Sequence, residues 1–373
     1  MNRLLICFYI FIISFNFSLN SFQLSFFTEM NKEFINKNLI LSPLSAYQIL
    51  SLTSNGAKGK TLQEMILSLS GTDLDELNKI NIAILNTAKK FCSLEIANAI
   101  MTTFIPEEKF VDVAYKYEST IDELIDIVQV NNWCKVKTHD KIKSILDSIE
   151  PNTVMILLNA VYFKGIWSKQ FDPKNTKKMP FYNFGEEKSV ISVDMMSIKD
   201  KFNYYEDELI QLIELPFAND SMSAQIFLPK EDNNINYLVA DLTEKKMKEY
   251  NDRMFPYEVN LYLPKFELEF SSSLNNVLQK LGMKEAFDPA RADLTGMKKD
   301  GNIYISKVIQ KTYLKFDESG AEAAAVTAVV IKTRGFTKNR KMVVNRPFLI
   351  VLKCKELPQN YDTIFMAKIE KLD

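Results

Sequence analysis

The stretch from Thr153 to Phe163, TVMILLNAVYF, separates two parts of the chain that have different hydrophobic periodicity. It is rich in β-branched and aromatic residues, and turn residues bound it on both sides: Pro151-Asn152 before it and Lys164-Gly165 after it. A run of this kind predicts a β-strand.

The part of the chain that precedes this strand has mostly the pattern of helices. Ser42-Pro43 places an N-cap before a proline at the first helical position. Thr61 and Glu64 have the spacing of a capping box, and Gly71 follows as a terminator. A further helix is predicted from about residue 132 to 148.

The part that follows Phe163 is mostly strand-like. Runs rich in β-formers cover Leu209 to Leu215, Ala224 to Leu228, Tyr257 to Leu263, Phe348 to Leu352 and Thr363 to Ile369. We find no repeat and no Pro/Gly-rich linker. Helices followed by non-repeating strands predict one α+β domain with large, mostly antiparallel sheets.

Composition excludes several classes of function. The 373 residues carry 46 Lys+Arg against 47 Asp+Glu, so no global field attracts nucleic acid or anionic lipid. The chain is 47% hydrophobic and can bury a sizeable core. His139 is the single histidine, which excludes multi-histidine metal sites and leaves one candidate base for a hydrolase. We expect no cofactor and no metal.

The amino terminus has the pattern of a secretory signal. Arg3 precedes an apolar run from Leu4 to Phe15, which is too short to span a bilayer and is followed by polar residues. We therefore expect a signal peptide over residues 1–20, a single domain over 21–373 and an extracellular protein.

Three cysteines remain once Cys7 is removed with the signal. Cys92, Cys134 and Cys354 are an odd number, so at least one thiol stays unpaired. Two interpretations remain: one disulfide with one free thiol, or three free thiols. Asn219-Asp220-Ser221 is a glycosylation sequon, and Asn219 is its acceptor.

The segment Glu318 to Val330, ESGAEAAAVTAVV, is ambivalent between helix and strand. Its alternate residues Ala321, Ala323, Ala325 and Thr327 are small and would share one face of a strand, so that strand could slide between existing strands. It contains no proline that would remove a backbone donor.

Five basic residues follow in the ten positions from Lys332 to Lys341. Three interpretations compete for them: a solvated loop, a nucleic-acid or nuclear-localisation patch, and a bait for a protease with an acidic specificity pocket. The signal peptide argues against the second.

With these segments in view, the chain resembles the serpin family. The resemblance rests on six motifs in order across about 330 residues. They are NLILSPLS at Asn38–Ser45 with GAKGKT at Gly56–Thr61; LNAVYFKGIW at Leu158–Trp167 with Phe171-Asp172-Pro173; LPKF at Leu263–Phe266; LGM at Leu281–Met283 with Ala292-Asp293-Leu294; the segment from Glu318 to Thr327; and NRPFL at Asn345–Leu349.

Membership would imply three β-sheets, about nine helices and an exposed reactive-centre loop at about residues 318–344. It would also imply that a target protease cleaves the loop and that the cut loop inserts into the largest sheet, trapping the acyl-enzyme. The hinge would comprise Glu318, Gly320, Ala321, Glu322, Ala323, Ala324, Ala325 and Thr327, and its small residues favour an inhibitory member.

The resemblance also assigns a bait residue. Seventeen positions counted from Glu318 end at Arg334, so the predicted reactive bond is Arg334–Gly335. Alternative cleavage sites remain after the basic residues Lys332, Lys338 and Arg340, or near the apolar residues Val330 and Ile331. An arginine bait implies a trypsin-like serine protease as the covalent partner.

A polar latch beneath the sheet is implied as well. Ser42, Ser45 and Asn159 match it, whereas Gln310 stands where the family usually has histidine, and the substitution could weaken the latch. Trp167 matches the tryptophan where the loop first enters.

We expect a monomer without nucleic-acid or membrane partners. The alternative is a non-inhibitory serpin that acts as a carrier, a chaperone or a polyanion-binding protein. Glycosaminoglycan binding is disfavoured because Lys135, Lys137, Lys141 and Lys143 would be scattered around their predicted helix with His139.

Overall fold

The computed structural model describes residues 21–92, 94–163, 165–231, 233–320, 340–358 and 360–373. Nine α-helices occur in these residues: α1 (Phe22–Glu33), α2 (Pro43–Ser54), α3 (Gly59–Ser68), α4 (Leu74–Phe91), α5 (Glu108–Lys116), α6 (Ile127–Lys137), α7 (Ile235–Asp241), α8 (Glu244–Asp252) and α9 (Asn275–Lys280). The predicted signal peptide lies outside the described residues.

The same residues form fourteen strands. They are β1 (Leu39–Leu41), β2 (Leu94–Thr102), β3 (Thr120–Glu123), β4 (Met155–Phe163), β5 (Lys177–Tyr182), β6 (Val190–Glu206), β7 (Ile210–Pro216), β8 (Met222–Pro229), β9 (Phe255–Pro264), β10 (Phe266–Ser273), β11 (Lys307–Phe316), β12 (Arg340–Val343), β13 (Phe348–Cys354) and β14 (Thr363–Ile369).

These strands form two mixed sheets. The larger has nine strands in the order β1-β14-β13-β8-β7-β6-β9-β12, with β5 beside β6. The smaller has five strands in the order β10-β11-β4-β2-β3. The described residues show no separate third sheet, because the 17-residue strand β6 pairs with β5, β9 and β7 and so joins them into one.

The predicted α+β class with mostly antiparallel sheets is confirmed. The decisive run forms β4, whose nine residues are all buried, and the run Thr363 to Ile369 forms β14 with the predicted ends. Three strand pairs are parallel: β4 with β11, β2 with β3, and β9 with β12. The first of them lies in the centre of the five-stranded sheet.

The predicted capping box at Thr61 is wrong. Helix α3 starts two residues earlier, at Gly59, and the Thr61 hydroxyl instead accepts a hydrogen bond from the backbone N–H of Asp293 at 3.0 Å. The Glu64 carboxylate accepts from the backbone N–H groups of Lys284 and Glu285, at 2.8 and 2.7 Å. Both side chains therefore join α3 to a distant part of the chain.

The helix predicted from about 132 to 148 is also displaced. Helix α6 begins at Ile127, capped by Asp126, and ends at Lys137. His139 and Asp140 then adopt φ of 51° and 63°, which an α-helix does not allow. Consequently Lys141 and Lys143 do not share a helix with Lys135 and Lys137.

One large apolar core lies between the nine-stranded sheet, helices α1 to α3 and one face of the five-stranded sheet. The opposite face of the five-stranded sheet is covered by α6, which buries Val130 and Cys134 against strands β2 and β4. Nowhere in the part of the chain described does a helix have the length and apolarity needed to cross a membrane.

Candidate functional site

The chain reverses direction immediately after β11. The backbone N–H of Asp317 donates to the carbonyl of Gly320 at 2.9 Å, and the N–H of Gly320 donates back to the carbonyl of Asp317 at 3.2 Å. The Asp317 carboxylate accepts from the N–H of Ser319 at 2.9 Å and thereby rigidifies the turn. The backbone at Gly320 thus runs antiparallel to the end of β11.

Gly320 lies between the ends of the two parallel central strands. It forms an antiparallel bridge with Ile166, just beyond the end of β4, while its other side is bonded to Asp317 beyond the end of β11. Its φ is +142°, and an added Cβ would collide with the carbonyl oxygen of Gly165. Only glycine fits this position without displacing the backbone.

The preceding residues bind to the segment that follows β4. The backbone N–H of Trp167 donates to the carbonyl of Ser319 at 2.9 Å, and that of Phe171 donates to the carbonyl of Glu318 at 2.9 Å. The first residues of the predicted hinge are therefore already paired with the extension of β4.

The Glu318 side chain has two partners from other elements. Lys265 Nζ lies 2.9 Å from its carboxylate, and the Thr176 hydroxyl donates to it at 2.8 Å. Burial alone raises the pKa of Glu318, but the hydrogen bonds from Lys265, its own backbone and Thr176 outweigh burial and lower that pKa below its usual value. Glu318 is consequently held as a charged anchor.

Trp167 packs beneath this turn. Its indole Nε1 donates to the Asp317 carbonyl at 3.0 Å, and its ring stacks on Phe217 with 4.6 Å between centroids. Phe316 meets the same indole edge-on at 5.2 Å. Only 2% of Trp167 is exposed, so it forms the buried floor below the first residues of the hinge.

Farther along the β4–β11 pair lies a buried polar network centred on Gln310. Its Oε1 accepts from the backbone N–H of Ser42 at 2.9 Å, and its Nε2 donates to the Ser42 carbonyl at 2.9 Å. The same Nε2 donates to Asn159 Oδ1 at 2.5 Å. A single amide therefore joins the two central strands to the N-terminus of α2.

Asn159 continues this network to Ser45 and Asn98, since its Nδ2 donates to the hydroxyl of the former and the Oδ1 of the latter. The Ser42 hydroxyl donates to the carbonyl of Ile364 at 2.8 Å. Sequence reasoning missed Asn98. Its signal was a polar residue at the centre of the otherwise apolar stretch IANAI in β2.

Much of the predicted loop lies outside the described residues. This applies to the reactive bond Arg334–Gly335, to the alternative baits Lys332 and Lys338, and to the hinge residues Ala321, Glu322, Ala323, Ala324, Ala325 and Thr327.

Arg340, a further alternative bait, is described and lies in a strand. It begins β12, which pairs with β9, and its guanidinium lies 3.9 Å from the centroid of the Tyr257 ring. Glu206 is 3.9 Å from the same guanidinium. Stacking and pairing hold Arg340 in the nine-stranded sheet, which disfavours it as a bait.

Two other predicted positions are on the surface. Asn219 is exposed, and its Nδ2 donates to the carbonyl of Phe91 at 2.9 Å. His139 is exposed in the loop after α6. Within the described ranges, no group of three or more His, Cys, Asp or Glu could hold a metal ion.

Comparison with known proteins gives one consistent result. The family model described as serpin (serine protease inhibitor) matches residues 17–371. Serpin B8 of Homo sapiens is 31% identical over 357 residues, which cover 89% of this chain and 93% of that protein. The native structure of tengpin, a thermophilic serpin, is 30% identical with a TM-score of 0.84, covering 94% of this chain and 93% of that chain. Human thyroxine-binding globulin, solved in complex with thyroxine, shares the fold at 24% identity and a TM-score of 0.85, covering 96% of this chain and 99% of that chain.

Proposed function

The chain belongs to the serpin family, and from that membership we propose that it is a secreted suicide-substrate inhibitor of trypsin-like serine proteases. The proposal includes a signal peptide over residues 1–20, a single inhibitory domain over 21–373, a monomeric state, and Arg334–Gly335 as the reactive bond. The chain itself contributes no catalytic group, because the protease that it binds supplies the nucleophile and the base.

The position of Gly320 is the observation that carries this proposal. Strands β4 and β11 are parallel neighbours, so a strand inserted between them after a tight turn at the end of β11 would be antiparallel to both. Gly320 already has that orientation, bonded to Asp317 on one side and bridged to Ile166 on the other. Extension of this pairing past Gly320 would separate β4 from β11.

The hinge composition supports the same step. In an inserted strand, Ala321, Ala323, Ala325 and Thr327 would face the core side together, and their small side chains need little space. The sixteen residues from Ser319 to Arg334 would span roughly 50 Å as a strand, enough to move an attached protease to the opposite end of the sheet.

The chemistry of trapping is that of an interrupted proteolysis. The protease serine attacks the Arg334 carbonyl carbon, the bond to the Gly335 nitrogen breaks, and that nitrogen leaves as an amine after taking a proton from the catalytic histidine. An ester then joins Arg334 to the protease. Insertion of the freed loop before water attacks that ester would leave the complex covalent.

Arg334 suits the proposed target class. Its guanidinium can make a bidentate, charge-assisted contact with a carboxylate at the base of the protease specificity pocket. Arg340 is disfavoured because it stacks on Tyr257 within β12.

The test is incubation of the protein with trypsin, followed by denaturing electrophoresis and mass spectrometry. We expect a complex that survives SDS and a released peptide that begins at Gly335. Arg334→Ala should lose the complex, whereas the matched Lys332→Ala should retain it. Cleavage after Arg334 with no complex and no rise in melting temperature would contradict inhibition and favour a non-inhibitory carrier.

A further inference from the structure

Two of the three described cysteines are in contact. Cys92 follows the last residue of α4, and Cys354 is the last residue of β13. Both are free thiols, and their side chains are hydrogen-bonded to each other. They are 262 positions apart in the chain, so the tertiary fold brings them together.

The short loop between β7 and β8, residues 217–221, is bonded to the backbone next to each cysteine. The Asn219 side chain donates to the carbonyl of Phe91, the residue before Cys92, at 2.9 Å. At the other end of the loop, Met222 lies directly opposite Cys354 in the pairing of β8 with β13. The backbone N–H of Lys355 donates to the carbonyl of Ser221 at 3.0 Å, so the loop binds both sides of the pair.

The two thiols differ in exposure and in acidity. Cys92 is partly exposed, whereas Cys354 is fully buried. Their mutual hydrogen bond raises the pKa of Cys92 and lowers the pKa of Cys354, whose sulfur also accepts from the backbone N–H groups of Glu356 and Leu357. Cys92 is thus the more accessible cysteine, and its partner Cys354 is the one better stabilised as a thiolate.

We propose that Cys92 and Cys354 are a redox-active pair that closes to a disulfide when the protein meets a low-molecular-weight disulfide such as oxidised glutathione. First, the Cys92 sulfur attacks one sulfur of oxidised glutathione as its proton passes to the Cys354 thiolate, and one glutathione leaves as a thiolate, so that Cys92 becomes a mixed disulfide. The released glutathione thiolate then takes the proton from Cys354, whose sulfur attacks the Cys92 sulfur and displaces the second glutathione. The two protein thiols lose two protons and two electrons, and one oxidised glutathione becomes two reduced molecules. Disulfide formation involves only the two thiols and an external oxidant, so this proposal goes beyond protease inhibition and does not depend on it.

Cys134 serves as an internal control in the same chain. It belongs to α6 and is fully buried against the five-stranded sheet, and this burial raises the pKa of its thiol to about 12. Lys311 and Glu269 also influence its pKa, and neither of the other two described cysteines does. Because Cys134 is fully buried, glutathione cannot reach its sulfur, and this thiol should react slowly with disulfides.

The test is incubation of the reduced protein in glutathione buffers of increasing oxidising ratio. Acid quenching, alkylation and non-reducing peptide mapping then identify each cysteine by mass. We expect a cross-linked peptide joining Cys92 to Cys354, whose fraction rises to near completion, while Cys134 remains alkylatable after unfolding. Persistence of both thiols, or of glutathione on Cys92, would overturn the proposal.

Variants separate the two steps of the exchange. Cys354→Ser removes the resolving thiol, so glutathione should accumulate on Cys92. Where that variant does not fold, Cys92→Ser gives the complementary result, in which the buried Cys354 stays reduced in the same buffers. Glutathione bound to Cys354 in Cys92→Ser would contradict the assigned order of reaction.

Discussion

Gln310 lies directly opposite Asn159 in the parallel pairing of β11 with β4, and its Nε2 donates to the Asn159 Oδ1 at 2.5 Å. The same amide both donates to and accepts from the backbone of Ser42. A neutral imidazole offers one donor and one acceptor, whereas the amide of glutamine has two donor hydrogens. Glutamine can therefore serve Ser42 and Asn159 together, although the family usually has histidine here.

Replacing Gln310 with alanine should shorten the lifetime of the native state. The substitution removes the partner of the buried Ser42 N–H and of the buried Asn159 Oδ1, at a cost of about 3 kcal/mol, whereas the Ser42 carbonyl still accepts from the N–H of Ala46. If opening of β4 from β11 releases these contacts, native protein should be lost at least about tenfold faster. The measurement is the rate of loss of the native tryptophan fluorescence at a fixed elevated temperature.

Gln225→Ala is the matched control for this variant. Gln225 is also a buried glutamine within a sheet, but its Nε2 has one side-chain partner, Asn251, and its Oε1 has none in the described structure. It should therefore change the rate much less. Equal effects of the two substitutions would show that the Gln310 network does not limit opening.

The hinge can be tested by one substitution at two adjacent positions. Ala325→Glu would place a charge on the face that must enter the sheet and should convert the protein into a substrate, cleaved by trypsin without a stable complex. Ala324→Glu would place the same charge on the opposite face and should retain trapping. The ratio of complex to cleaved free protein on denaturing gels measures the difference, and identical ratios would refute loop insertion along this face.

The fold was predictable from sequence where the local pattern alone determined the structure. β4 and β14 lie where composition and turn residues placed them, and Ser42 caps α2 as predicted. The capping box at Thr61 was wrong because its hydroxyl accepts from Asp293, more than two hundred residues away. No local pattern contains such a contact.

The site was predictable to the same extent. The resemblance brought Ser42, Ser45, Asn159 and Gln310 together, but Asn98 was missed because it belongs to a strand that no motif covered. The partners of Glu318 come from two other parts of the fold, and tertiary structure alone reveals them.

The anchor at Glu318 should make stability depend on pH. Its pKa is lower in the folded protein than in the unfolded chain, so its contribution is complete above the unfolded value, near 4.3, and is lost as pH falls through the folded value. Glu318→Gln should therefore lower the urea midpoint at pH 7, by the equivalent of roughly 1 kcal/mol. In acid the two proteins should converge. A difference that persists unchanged in acid would exclude the charge as its cause.

Oxidation of Cys92 and Cys354 should reduce trapping, an expectation that rests on both proposals. Cys92 leads into β2, which pairs with β4 along its whole length. On the other side of the opening, Thr312 of β11 donates to the carbonyl of Ile40 in β1, which belongs to the same sheet as Cys354. A disulfide would therefore add a covalent link between the β4 side of the opening and a sheet that is also bonded to β11.

Slower separation gives water more time to hydrolyse the acyl-enzyme. With trypsin, the oxidised protein should yield severalfold more cleaved free inhibitor per complex than the reduced protein, each freed of redox reagents beforehand. Cys92→Ser should give the same ratio after either treatment, because it cannot form the cross-link. Equal ratios for oxidised and reduced wild-type protein, with the disulfide shown by peptide mapping, would contradict this expectation. The strands that carry the two cysteines, on the β2 side and in β13, would then stay in one rigid unit while the sheet opens.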